Sequence, residues 1–218
     1  MVDCHVWIAD RPASIEELSS LNSIELRRSE TFTDGIARIG FLTSAALLRT
    51  AAGYYLQVAP DSLLIDRTCV SCGEPHGAPV LPDTGVYVST TRSSGFVAVA
   101  LCGTSVGIDV EKATSADMLN SIQPYWLGSS ERLRRSTDAP LLWSCKESVL
   151  KMLGVGLDIS PSDVVIDWVR GSEPHISVKG VAIGGTILCF RLFSLATLSV
   201  AIETKNEVVM HWHYLSDF

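Results

Sequence analysis

Residues 106–111 read Val-Gly-Ile-Asp-Val-Glu, an alternation of apolar with small or acidic side chains. A β-strand sends residues i and i+2 to one face. Asp109 and Glu111 therefore share one side, while Val106, Ile108 and Val110 demand burial on the other. Gly107 lets another backbone come close. Farther along, Trp143-Ser144-Cys145-Lys146-Glu147-Ser148-Val149-Leu150-Lys151 reads as a helix. Helical spacing puts Trp143, Glu147 and Lys151 one turn apart on one side. Singly, these are acids at a wet sheet edge and a surface ion pair worth a few tenths of a kcal/mol. The apolar residues around both segments favour burial instead. Three acids and a lysine that converge look like a Mg²⁺ site for a phosphate-bearing substrate, because that ion takes carboxylate, phosphate and water oxygens.

The chain has 218 residues, enough for one sizeable core or two small fused ones. At 47% hydrophobic and 19% charged it reads as an ordinary globular protein rather than a disordered one. Its net charge of −7 disfavours a nonspecific nucleic-acid binder. No apolar run approaches a membrane span, and the N-terminus lacks a basic region followed by an apolar stretch. Six scattered cysteines, mostly in apolar segments, fit a cytoplasmic protein with reduced thiols.

Strand patterns fall at Val2 to Ala9, Val86 to Ser89 and Phe96 to Leu101, with helices expected over 15–22, Leu26 to Thr33 and Ile36 to Leu56. Ser14 and Glu17 have the spacing of a capping box. The second half offers a strand at Val106 to Val110, a polar stretch from Lys112 to Thr137, and a helix over Leu141 to Leu153 that Gly154 and Gly156 stop. Further strands are expected at Val164 to Val169, Ile176 to Val178, Thr186 to Phe193, Thr197 to Ile202 and Val208 to Tyr214. Strands flank a long helix in each half, which points to an α/β (α+β) pseudo-dimer of two similar lobes, residues 1–104 and 105–218, with the site in the cleft between them.

Other motifs are weaker. Cys69-x-x-Cys72 with His76 has the spacing of half a zinc site, but no second Cys/His pair follows; a turn with His76 near a ligand is preferred. Ser89 to Gly95, between two strands, offers hydroxyls, backbone N–H groups and Arg92 as a phosphate cradle or simply a polar hairpin. His5, His175, His211 and His213 read as packed or exposed rather than catalytic. In the polar stretch, Met118, Leu119, Ile122, Tyr125, Trp126 and Leu127 pack inward or form a docking patch. Nucleophile elbows, Walker loops and dinucleotide fingerprints are absent.

The blocks Gly107–Glu111 and Trp143–Lys151, in this order and separation, resemble the marks of the 4′-phosphopantetheinyl transferases of the Sfp type: Gly-Ile/Val-Asp-x-Glu, then Trp-Ser-x-Lys-Glu-x-x-x-Lys. Weaker similarity extends through Trp7 to Pro12, Phe41 to Arg49, Pro75 to Pro79 and Val88 to Leu101. The resemblance implies two similar lobes with coenzyme A between them, and Mg²⁺-dependent (or Mn²⁺-dependent) transfer of phosphopantetheine to a serine of an apo acyl or peptidyl carrier protein. Adenosine 3′,5′-bisphosphate is the by-product. Polyketide and nonribosomal-peptide carriers are the expected clients, with fatty-acid carriers possible.

By motif position, the resemblance makes Asp109, Glu111 and Glu147 metal ligands and gives Glu147 the serine proton. It sets Lys151 on the reacting phosphate and Arg28 near the 3′-phosphate. His76, Thr91 and Arg92 complete the coenzyme-binding set. The chain departs from the family at Thr91-Arg92-Ser93, where Ser-His-Ser/Thr is usual, and at Gly77-Ala78-Pro79, where Gly-Lys-Pro is usual. Arg92, permanently charged and able to form a bidentate contact, would replace both missing groups. A magnesium-dependent phosphohydrolase or nucleotidyl transferase is the alternative, and an inactive carrier-binding relative the third reading. A monomer is expected, without nucleic-acid or membrane partners.

Overall fold

The computed structural model describes residues 1–93, 95–168, 174–192 and 195–215. It is a mixed α/β structure rich in antiparallel sheet, and the chain divides into two compact units.

One unit holds residues 3–103 and the stretch from Val208 onward. Its sheet has the order β10-β1-β3-β2, formed by β1 (Val2–Ala9), β2 (Tyr87–Ser93), β3 (Phe96–Cys102) and β10 (Val208–Leu215). Every residue of β3, an unbroken Phe-Val-Ala-Val-Ala-Leu-Cys run, is buried, as a central strand requires. Trp7, Val97, Val99 and Leu101 pack on Leu47, Leu48, Ala51 and Ala52 of the long helix α3 (Gly35–Leu56). Before it come α1 (Ile15–Leu18) and α2 (Ser23–Glu30). The Ser14/Glu17 capping box forms, but its helix stops at Leu18 rather than at residue 22. The helix expected from Leu26 begins at Ser23, because Asn22 and Glu25 build a second capping box. Arg49 of α3 is fully buried, pairs with Glu25 at 2.8 Å and donates to the carbonyls of Pro60 and Leu63. That bonding ties α2, α3 and the following loop together.

Residues 208–214 correct the expected partition. They were placed with the second half, yet β10 lies beside β1. Alternation identifies a strand but carries no information about its hydrogen-bonding partner.

The other unit contains residues 104–207 together with Met1 and Val2. β4 (Val106–Lys112), β9 (Ala196–Ile202) and β8 (Thr186–Leu192) form an antiparallel sheet in the order β4-β9-β8. A second antiparallel sheet comprises β5 (Val164–Asp167), β6 (His175–Val178) and β7 (Val181–Ile183). β7 is a three-residue strand, too short for its alternation to show in the sequence. Val169 and Phe193, expected at strand ends, lie outside the described residues. Helix α5 (Ala139–Leu153) packs Cys145, Val149 and Met152 into a core with Val164, Ile176, Ile187 and Ala201, and Gly154 caps it at φ 67°. In the stretch between β4 and α5, α4 (Ala116–Ser121) and single 3₁₀ turns replace an open loop. The two readings of its apolar residues divide: Leu119 and Trp126 are buried, whereas Met118 and Tyr125 are 55% and 77% exposed.

Candidate active site

The acid motif sits where β4 lies against α5. A Cβ on Gly107 would stand 1.8 Å from the Ser148 carbonyl oxygen and 2.5 Å from the Met152 nitrogen, so only glycine permits this approach. The Ser144 hydroxyl donates to the Asp109 carbonyl at 3.0 Å, a second fastening between the elements. Helical repeat then carries Lys151 to β4. Its Nζ donates to the Ile108 carbonyl at 3.0 Å and to Asp109 Oδ1 at 2.7 Å. Asp109 is 6% exposed, so this pair operates largely out of water.

Glu111 and Glu147 are half-buried beside it. Burial pushes the Glu111 carboxyl up from 4.5 to about 7, and the charge of Asp109 adds to the rise; Lys151 and a hydrogen bond from Trp143 oppose it. Glu147 also rises, through burial and then Asp109. Trp143 meets Trp126 edge-on, with centroids 5.7 Å apart, which fixes the indole that reaches Glu111.

The structure thus brings Asp109, Glu111, Glu147 and Lys151 into mutual electrostatic range. It does not draw the three carboxylates into a ready-made clamp. Among the described residues, the His/Cys/Asp/Glu group whose ligand atoms all lie within 4.8 Å of one another is Cys69, Cys72 and His76. Asp109 instead holds a lysine ammonium. The donor chemistry still fits a hard cation: the oxygens are carboxylates, and burial, then the charge of Asp109, raises two of them in a way that a cation would offset.

Lys146, which precedes Glu147, has no role in the motif reading. It is fully buried, and its Nζ bonds Glu131 Oε2 and the carbonyls of Trp126, Pro161 and Val164. Glu131 also accepts from the Gly128 and Ile166 N–H groups. This network anchors α5 to the preceding turn and to β5. A lone Glu131 in a polar stretch gives no hint of it.

In the other unit, Phe32 and Phe41 stack 5.2 Å apart. The Arg92 guanidinium lies 5.8 Å above the first ring, and Arg28 lies 5.0 Å above the second. Arg28 also donates to the Pro75 carbonyl at 2.7 Å. Burial lowers the Arg28 and Arg92 pKa values, and Arg92 lowers Arg28 further. Arg67, unmarked in the sequence, joins them: burial and then Arg28 push it down to about 10, and its buried Nε has no hydrogen-bond partner among the described residues. A concavity of about 600 Å³ is lined by Arg27, Arg28, Thr31, Glu74, Pro75 and His76. Thr91 stands apart from this group. Its side chain is buried and, one residue from Arg92 on β2, faces the opposite side of the sheet.

The site is thus a carboxylate-bearing strand packed on a lysine-bearing helix. Residues 105–202, which hold both motifs, match the model of the 4′-phosphopantetheinyl transferase superfamily. This part of the chain is similar to that superfamily in the same two blocks that carry the sequence resemblance. Over 175 residues the chain is 29% identical to the 4′-phosphopantetheinyl transferase HetI of Nostoc sp. PCC 7120, covering 71% of this chain and 70% of HetI. It is 23% identical over 189 residues to the L-aminoadipate-semialdehyde dehydrogenase-phosphopantetheinyl transferase of Schizosaccharomyces pombe, with 77% and 71% of the two chains covered.

Proposed function

We propose that this protein is an Sfp-type transferase that moves the 4′-phosphopantetheine group of coenzyme A to a serine of an apo acyl or peptidyl carrier protein, releasing adenosine 3′,5′-bisphosphate. The packing of Asp109 and Lys151 at the β4–α5 contact, with Glu111 and Glu147 beside them, is the observation that carries this reading. Asp109, Glu111 and Glu147 would hold Mg²⁺, or Mn²⁺ in its place. The ion's contribution is to neutralise charge on a pyrophosphate.

The side chains supply the rest. Glu147, raised by burial, is a stronger base than a free carboxylate and suits acceptance of a serine proton, directly or through water. Lys151, held by Asp109 and the Ile108 carbonyl, presents a fixed positive charge to a phosphoryl oxygen. Trp143 restrains Glu111. Arg92, Arg28 and Arg67 form a cationic cluster suited to a phosphate monoester such as the coenzyme's 3′-phosphate. His76 lines the adjoining concavity.

Polyketide, nonribosomal-peptide or fatty-acid carriers are the clients of this reading, which is of a cytoplasmic monomer. No described helix is long and apolar enough to cross a membrane. Chromatography of a reaction with apo carrier, coenzyme A and Mg²⁺ tests it. Adenosine 3′,5′-bisphosphate should form only when carrier is present, and EDTA should stop it. Release of phosphate or pyrophosphate without carrier would replace the transferase with a hydrolase.

A further inference from the structure

The loop between Arg67 and Ala78 belongs to no sheet or helix, yet its backbone is closely determined. The Cys69 N–H donates to the Glu74 carbonyl and the Gly73 N–H to the Cys69 carbonyl, both at 2.8 Å. The Gly77 N–H bonds the Arg67 carbonyl at 2.7 Å, and a Cβ at Gly77 would come within 2.8 Å of the Thr68 carbonyl oxygen. Asp66 and Val80 bridge the base of the loop. Gly73 follows the second cysteine at φ +78°, a conformation that closes the turn and strongly favours glycine.

Three soft or borderline donors converge inside this turn. The Cys69 and Cys72 sulfurs and a His76 ring nitrogen all lie within 4.8 Å of one another. Cys72 Sγ and His76 Nε2 are 2.9 Å apart. The backbone N–H groups of Cys72 and Ser71 point at the Cys69 sulfur, an arrangement that favours thiolate there. A wet loop has no packing reason to gather two sulfurs and an imidazole.

We propose that Cys69, Cys72 and His76 bind one Zn²⁺, separate from the oxygen site on β4 and α5. Two thiolates and an imidazole make a set that Zn²⁺ accepts in tetrahedral geometry and that Mg²⁺ does not. Cys72 and His76 are exposed, which leaves the fourth position to water. The ion stands in for a missing core by fixing a loop held otherwise by a few backbone bonds. Because Pro75 accepts from Arg28 and Arg67 precedes Cys69, the same ion would hold the segment that carries part of the cationic cluster. The metal site itself does not depend on the transferase reading.

The test uses the full-length protein, prepared anaerobically with reduced thiols, and measures zinc by elemental analysis and cobalt by titration. One zinc per chain is expected, and Co²⁺ should give a thiolate-to-metal charge-transfer band. C69S, C72S and H76A should each lose the band and weaken zinc by more than the roughly 10–100-fold cost of losing an outer partner. D109A should keep both metal and band, and its circular dichroism should match wild type. Substoichiometric zinc without a cobalt band would overturn the proposal. So would zinc retained by C69S and C72S, or a Cys69–Cys72 disulfide in the anaerobic protein.

Discussion

A carboxylate beside two others is the most sensitive element of the site. Glu111 has a folded-state pKa of about 7 against an ordinary 4.5, so the folded chain binds its proton more tightly. The stability this gives is complete below about 4.5 and is lost as pH rises through about 7. Without divalent metal, Glu111→Gln should raise Tm at pH 8 and leave it nearly unchanged at pH 5. Differential scanning calorimetry in EDTA checks this, and an equal gain at both pH values would contradict it. Arg92 offers an independent residue test. Arg92→Ala should raise KM for coenzyme A about 10- to 100-fold, the worth of a charged hydrogen bond, with little change for dephospho-coenzyme A. Equal effects on both would remove Arg92 from the 3′-phosphate.

At the scale of elements, the β4–α5 contact carries both packing and chemistry. Gly107→Ala places a methyl where the helix backbone already lies, so a loss of about 3 kcal/mol or more is expected in urea unfolding. A wild-type midpoint would show that the helix can retreat. The Lys146–Glu131 pair makes a second case. Glu131→Ala leaves an ammonium buried without its anion and should cost about 3–5 kcal/mol, whereas Lys146→Met with Glu131→Leu should recover much of that. Failure of the double variant to recover would mean that the carbonyl contacts of Lys146 dominate.

These elements also show what a sequence discloses. β4 and α5 were readable because each buries one face and so prints its period on the chain. Helical period puts Glu147 and Lys151 on one side of α5, but no pattern marks Asp109 as the partner of Lys151. The Asn22 cap, the three-residue β7 and the destination of β10 were not readable, since each depends on a single side chain, a very short run or a distant partner. Lys146–Glu131 and Arg67 escaped for a related reason. Charged residues far apart in sequence acquire meaning only once folding has buried them together.

For the whole molecule, a four-stranded sheet on α3 and a three-stranded sheet on α5 repeat one design, a long helix covering an antiparallel sheet. The acids lie in one unit and the arginines in the other. In the proposed reaction the acids act with Lys151 in group transfer to a protein serine, and intact mass spectrometry of an apo carrier incubated with coenzyme A and Mg²⁺ measures that transfer. Wild type should add one phosphopantetheine to the carrier, and Asp109→Ala should slow the addition by at least about a hundredfold. A carrier whose mass stays unchanged with folded wild-type protein, or one modified equally well by Asp109→Ala, would contradict it.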